Sequence, residues 1–222
     1  MSELTLKSAK SLYLNLGATI QDLEIGTDMT IKGIEELKAM GVTDPLILNH
    51  HYASLYLNFI YLDICAAYRL YLSGTTNYEQ RFAIKQLYTI MNEGYKRLYG
   101  FDNKSTNPNK KIPQKGSIWI TYMSCYSNCG ITIIERAYTD CFSVIERFND
   151  PVIFKKAARC HGAHYHEDYA ATYDFLKDLN AETITVGTTH FFEFINQWRK
   201  LISLIGENIS VLLTPNLNNK KL

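Results

Sequence analysis

The chain has 222 residues, 46% of them hydrophobic, with only 5 prolines and 12 glycines. Such a composition excludes a disordered or collagen-like polymer and describes one globular domain, or at most two small ones, able to bury a substantial core. With 23 basic and 22 acidic side chains the formal charge is +1, so any nucleic-acid contact has to come from a local patch and not from net charge.

In chain order, apolar side chains recur at helical spacing through Ala9, Leu12, Tyr13, Leu16, Ile20 and Leu23 and predict a first helix. Asp44-Pro45 can cap and open a second. Residues 46–72 are apolar on more than one face, which marks an enclosed helix, and Ser73-Gly74 can end it. Ile84, Leu87, Met91, Tyr95 and Leu98 form the next stripe, with Gly100 as its stop. Residues 101–115 read as a basic loop, with Lys104, Lys110, Lys111 and Lys115 against Asp102. A second enclosed segment starts at Ser117 and runs into the stripe Ile134, Ala137, Cys141, Ile145 and Phe148; Asn149-Asp150-Pro151 opens another helix. Residues 183–186 are ambiguous between strand and helix. Thr188-Thr189 can cap a final helix carrying Phe191, Ile195, Trp198, Leu201, Ile205 and Ile209. There is no internal repeat and no apolar heptad run of coiled-coil length. The expected fold is all-α: an up-and-down helical bundle with two long central helices and additional flanking helices, a single domain over 1–214 with a flexible tail at 215–222.

The cysteines, Cys65, Cys125, Cys129, Cys141 and Cys160, are odd in number, lack a Cys-x-x-Cys pair and sit mostly among apolar neighbours. That favours reduced, buried thiols and a cytoplasmic location. Residues 1–10 carry Glu3, Lys7 and Lys10 and do not read as a signal peptide. Residues 116–134 are uncharged but too rich in Ser, Thr and Asn for a lipid span, so no membrane association is expected.

Reactive side chains are densest in Arg159-Cys160-His161-Gly162-Ala163-His164-Tyr165-His166-Glu167-Asp168, which holds three of the six histidines. Histidine titrates near neutrality and can move protons, while arginine offers a planar, permanently charged fork for phosphate oxygens. Together they suit cleavage of RNA by its own 2′-hydroxyl. On a straight helix Arg159 and His164 would lie about 140° apart. Convergence would therefore need a bend at Gly162, or a two-fold dimer pairing Arg159 of one chain with His164 of the other.

Arg159-x-x-x-x-His164, with Ala163 before the histidine and acidic residues after it, resembles the Arg-x(4 to 6)-His motif of the HEPN (higher eukaryotes and prokaryotes nucleotide-binding) superfamily, and most closely its abortive-infection members. The resemblance implies a cofactor-free, metal-independent endoribonuclease that leaves a cyclic phosphate. It implies a homodimer with both motifs on one cleft, in a phage-defence or toxin–antitoxin setting with a cognate antitoxin protein as partner. Arg159 would stabilise the transition state and His164 would act as general base or acid, with His166 as its possible substitute. Cys160 departs from the polar residue common in the family at that position. Lys104, Lys110, Lys111 and Lys115 could hold the RNA backbone. Other relatives only bind RNA or nucleotides.

Two further readings stand beside this one. The chain could be a non-catalytic helical interaction module. Alternatively Cys160, His164 and Asp168, at i, i+4 and i+8, could hold a metal for an enzyme if His190 or His50-His51 closed the site. Elsewhere, Asp63 and Arg69 in the apolar second helix are expected to pair with Lys85 or Glu93. Glu135 and Arg136 read as solvated, His50-His51 as capping or solvent-facing, and Cys125 and Cys129 as packing residues. The 16 tyrosines, among them Tyr52, Tyr56, Tyr61, Tyr68, Tyr71, Tyr165, Tyr169 and Tyr173, are expected to line a half-wet groove or dimer seam. No Gly-rich phosphate loop, Gly-x-Ser-x-Gly elbow or His-Glu-x-x-His motif occurs.

Overall fold

A computed structural model describes residues 3–98, 126–147 and 181–208, together with Ala170, Asp174 and Lys177. Five helices account for almost all of these residues: α1 (Glu3–Ala39), α2 (Pro45–Ser73), α3 (Asn77–Leu98), α4 (Thr132–Arg147) and α5 (Ala181–Glu207). No strand occurs among the described residues. The all-α helical-bundle class expected from the apolar spacing is the class observed.

Several helix ends have a chemical cause. α1 ends in a Schellman turn: Gly41 adopts a φ of 74°, the Val42 N–H donates to Leu37 O at 3.0 Å and the Gly41 N–H to Lys38 O at 3.0 Å. Only glycine enters that left-handed conformation without a steric cost. α2 begins as the dipeptide predicts, with Asp44 Oδ1 accepting the Leu46 N–H at 2.8 Å and Pro45 in the first helical position. α3 opens with a capping box. The Glu79 N–H donates to Thr76 Oγ1 (3.2 Å), and Glu79 Oε2 takes back the Thr76 N–H (2.8 Å), the Thr75 N–H (2.8 Å) and the Thr75 hydroxyl (2.9 Å). At α4, Glu135 Oε1 accepts the Gly130 N–H at 2.8 Å. Glu135 is therefore a capping residue at an exposed helix start, and Arg136 beside it is exposed, as expected of both.

The last helix starts earlier than its sequence signals indicate. Thr188 and Thr189 are interior residues whose hydroxyls donate back to Ile184 O (2.7 Å) and Thr185 O (2.9 Å). A threonine hydroxyl can satisfy itself on the preceding turn as well as it can cap. The β-branched run at 183–186 is helical too, because apolar positions such as Ile184, 1% exposed, continue the buried face of α5.

The chain divides into two compact units. One takes in α1 as far as Met29, α2 from Asn58, α3 as far as Tyr95 and α5 as far as Phe192. The other takes in the remaining parts of those helices and α4. In the first unit, Leu16, Leu23, Ile60, Ile64, Cys65, Ala83, Ile84, Leu87, Met91, Tyr95, Ile184 and Phe191 are buried. Gly17 of α1 faces Arg69 of α2 and Gly26 faces Asn58, so these two helices run antiparallel there. In the second unit the core is Ile34, Ala53, Leu57, Leu98, Ile134, Ala137, Cys141, Val144, Phe194, Ile195, Trp198, Leu201 and Ile205. Each fully buried side chain of this kind contributes roughly 1.5–3 kcal/mol of transfer free energy.

Candidate functional site

Arg159, His164 and His166, the proton-transfer and phosphate candidates, lie outside the described residues, as do Lys104, Lys110, Lys111 and Lys115. The same holds for Cys160 and Asp168 of the metal reading, for Cys125 and Gly100, and for Tyr165, Tyr169 and Tyr173. Of the side chains that would have to close a metal site, His190 is exposed on the first unit, while His50 and His51 are half-buried on the second. Among the described residues no group of three or more His, Cys, Asp and Glu side chains could hold a metal ion. Likewise, no helix among them is long and apolar enough to cross a membrane.

The described polar chemistry gathers at two places, one in each unit. In the first unit Arg69 lays its guanidinium over the Tyr13 ring, 4.3 Å from the centroid. Gly17, one turn further along α1, clears the space: a Cβ there would stand 3.3 Å from Arg69 Cζ. The Arg69 Nε is buried and makes no hydrogen bond. The expected pairing of Asp63 and Arg69 with Lys85 or Glu93 is thus replaced. Asp63 is exposed, and Arg69 spends its charge on an aromatic face instead of a carboxylate. A delocalised guanidinium tolerates that exchange because it is weakly hydrated.

In the second unit His50 of α2 faces Gly206 in the last turn of α5. A Cβ at Gly206 would lie 3.0 Å from His50 Nε2 and 3.1 Å from Cε1. Burial, and secondarily the adjacent His51, push the His50 imidazole down to about 4. His51 meets it edge-on, with ring centroids 5.5 Å apart, and is itself pushed down by burial. Both rings are half-buried, and burial holds both imidazoles below the usual range. Cys141, also in this unit, is fully buried, and burial together with the Asp140 carboxylate pushes its thiol up to about 12. A thiol so disfavoured from ionising is not a nucleophile near neutral pH.

The described tyrosines of α2 differ in exposure. On α2, Tyr52 is exposed, Tyr56, Tyr61 and Tyr71 are half-buried and Tyr68 is buried. Tyr68 and Tyr71 stack with centroids 5.9 Å apart, and Tyr61 meets Phe192 at 5.2 Å. By helical position these five rings cover about half of the circumference of α2. No protein-family model, curated protein or solved structure matches this chain.

Proposed function

We propose that this chain is a HEPN-like helical protein that acts on RNA as a metal-independent endoribonuclease, in a phage-defence or toxin–antitoxin setting. One observation carries the reading: Arg159-x-x-x-x-His164 precedes the long helix α5 in a chain whose described residues form five helices and no strand. In this reading the 2′-hydroxyl attacks the adjacent phosphate, giving a 2′,3′-cyclic phosphate and a free 5′-hydroxyl. His164, or His166 in its place, moves the proton, and Arg159 stabilises the charge that grows on the phosphate oxygens. Lys104, Lys110, Lys111 and Lys115 hold the backbone. A homodimer would bring two motifs to one cleft, and an antitoxin would block it.

Cleavage of single-stranded RNA in the presence of a chelator tests the proposal. The expected result is cyclic-phosphate ends from the wild type and losses of at least about 100-fold in Arg159→Ala and His164→Ala. His166→Ala decides which histidine acts. Equal activity in wild type and both variants would refute the enzyme.

Cys160, beside the arginine in a place where the family commonly has a polar residue, favours a second reading, a non-catalytic RNA- or nucleotide-binding bundle. It predicts binding that Arg159→Ala weakens, without cleavage by the wild type.

A further inference from the structure

Arg69 is a cation held in place without an anion. Its guanidinium lies 4.3 Å from the centre of the Tyr13 ring. A Cβ on Gly17 would stand 3.3 Å from its Cζ, 3.4 Å from Nη1 and 3.5 Å from Nη2. Distances so nearly equal mean that Gly17 meets the guanidinium on a flat face and not at an edge. Tyr13 and Gly17 are i and i+4 on α1, neighbours on one side of the helix, and together they form a seat for that group. Alanine at 17 would raise helix propensity by about 1 kcal/mol but would crowd the seated face. The N–H groups of the fork, which point outward in its plane, are left without a partner. Nε is buried and makes no hydrogen bond, and no carboxylate among the described residues pairs with the side chain.

A second cation stands beside the seat. Lys10 is exposed and, at about 100° per residue, falls with Tyr13 and Gly17 within roughly 60° of the circumference of α1. It too has no carboxylate partner among the described residues. The adjoining stretches of chain supply none: residues 4–21 and 64–78 contain Lys7, Lys10 and Arg69 but no Asp or Glu. Asp63, the one acidic residue of α2, lies about 120° round that helix from Arg69. A half-buried cation without a counter-charge is costly, and here only an aromatic face offsets the cost. A planar fork matches the oxygens of a phosphate group, and two cations match the double charge of a phosphomonoester. A nucleic-acid backbone would instead need a row of cations along its track.

We propose that Arg69, seated on Tyr13 and Gly17, and Lys10 form a binding site for the phosphate group of a small phosphomonoester. The site lies on α1 and α2 within the first unit and uses none of the residues assigned to RNA cleavage.

Titration of the full chain with inorganic phosphate and with adenosine monophosphate, followed by NMR at the Arg69 Nε–H resonance, tests it. Both should shift that resonance saturably. Adenosine, which lacks the phosphate, and sodium chloride at equal ionic strength should not. By calorimetry, Arg69→Lys should weaken phosphate binding by about tenfold, since it keeps the charge and loses the fork, and Lys10→Gln by about fivefold. Gly17→Ala should weaken it as well, with an unchanged circular dichroism spectrum, because its Cβ displaces the guanidinium. The shift should persist in Arg159→Ala, which separates this site from the RNA reading. A shift no larger than that with sodium chloride, binding indifferent to both Arg69→Lys and Lys10→Gln, an equal response to acetate, or a response to single-stranded RNA but not to phosphate would each overturn the site.

Discussion

Gly94 of α3 lies directly against Phe191 of α5: a Cβ on Gly94 would stand 2.9 Å from Phe191 Cζ and 3.3 Å from Ile60 Cγ2. Phe191 is completely buried and Ile60 nearly so, so neither can move aside. Glycine in a helix interior is disfavoured by about 1 kcal/mol relative to alanine, and the close approach of three helices in the first unit explains why it is nevertheless there. Gly94→Ala gains that helix propensity but overpacks a filled core, which costs about 1–3 kcal/mol. Gly33, in the interior of α1, has nothing within 4 Å of the position its Cβ would take. The two substitutions therefore have opposite signs. Urea denaturation should show Gly94→Ala less stable than wild type by about 1 kcal/mol and Gly33→Ala more stable by about 0.5–1 kcal/mol.

The neutral packing of His50 makes stability depend on pH. Its folded value is about 4 against 6.5 for an ordinary imidazole, so between those values the unfolded chain binds the proton and the folded chain does not. Stability then rises with pH across this window. The contribution is complete above about 6.5 and is lost as the pH falls toward 4. The ring keeps some contact with solvent, so we expect on the order of 2 kcal/mol, less than the full shift would imply. Comparing the wild type with His50→Gln by chemical denaturation at pH 7 and pH 4.5 isolates the effect from carboxylate titration common to both. The wild type should lose more stability than the variant over that interval. Equal losses would mean that the imidazole does not stay neutral against Gly206.

Much of this fold is legible in the spacing of apolar residues. Ile84, Leu87, Met91, Tyr95 and Leu98 are all buried, as are Phe191, Ile195, Trp198, Leu201 and Ile205, because a helix with one enclosed face must repeat at 3.6 residues. Asp44-Pro45 marked its helix start for an equally local reason. The Thr76-Asn77-Tyr78-Glu79 box and Gly41 are just as local and could have been found by the same rules. Thr188-Thr189 misled because the chemistry that makes threonine a cap also lets it bond the previous turn. What Asp63, Arg69 and His50 contact is not local at all. Arg69 is found on Tyr13, and His50 against Gly206, only after chain segments far apart in sequence are packed together, and no spacing rule encodes that choice. The candidate site is legible only as a motif, because Arg159-x-x-x-x-His164 specifies residue types and says nothing about convergence.

The Arg69–Tyr13 contact should behave as a planar stack and not as a general attraction to positive charge. A cation over an aromatic face is worth about 0.5–1 kcal/mol at partly exposed sites and up to about 2 when desolvated, and a lysine cannot reproduce the flat guanidinium. Arg69→Lys should therefore lose about 1 kcal/mol although the charge is kept. Tyr13→Phe should cost little, since the ring persists. In a double-mutant cycle with Arg69→Lys and Tyr13→Leu, the coupling energy should be positive and insensitive to added salt. A coupling that vanished in high salt would point to a long-range charge effect instead.

Glu79 holds the turn between α2 and α3 through a single carboxylate. The Thr76 N–H above all, and next the Thr75 hydroxyl and N–H, keep its carboxyl below the usual range. A depressed folded value means that the cap is intact above the unfolded value and is lost as the pH falls through the folded one. Glu79 is fully solvated, so the effect should be local fraying and not global unfolding. Amide hydrogen exchange is the direct measure. Glu79→Ala should speed exchange at Thr75 and Thr76, where the donated N–H groups lose their acceptor. Exchange at core positions such as Leu87 and Met91 should not change. Glu79→Gln, which retains an acceptor oxygen without the charge, should fall between the two. If Thr75 and Thr76 exchanged at the wild-type rate in Glu79→Ala, the box would contribute nothing to ordering the turn, and the start of α3 would have to be held by packing alone.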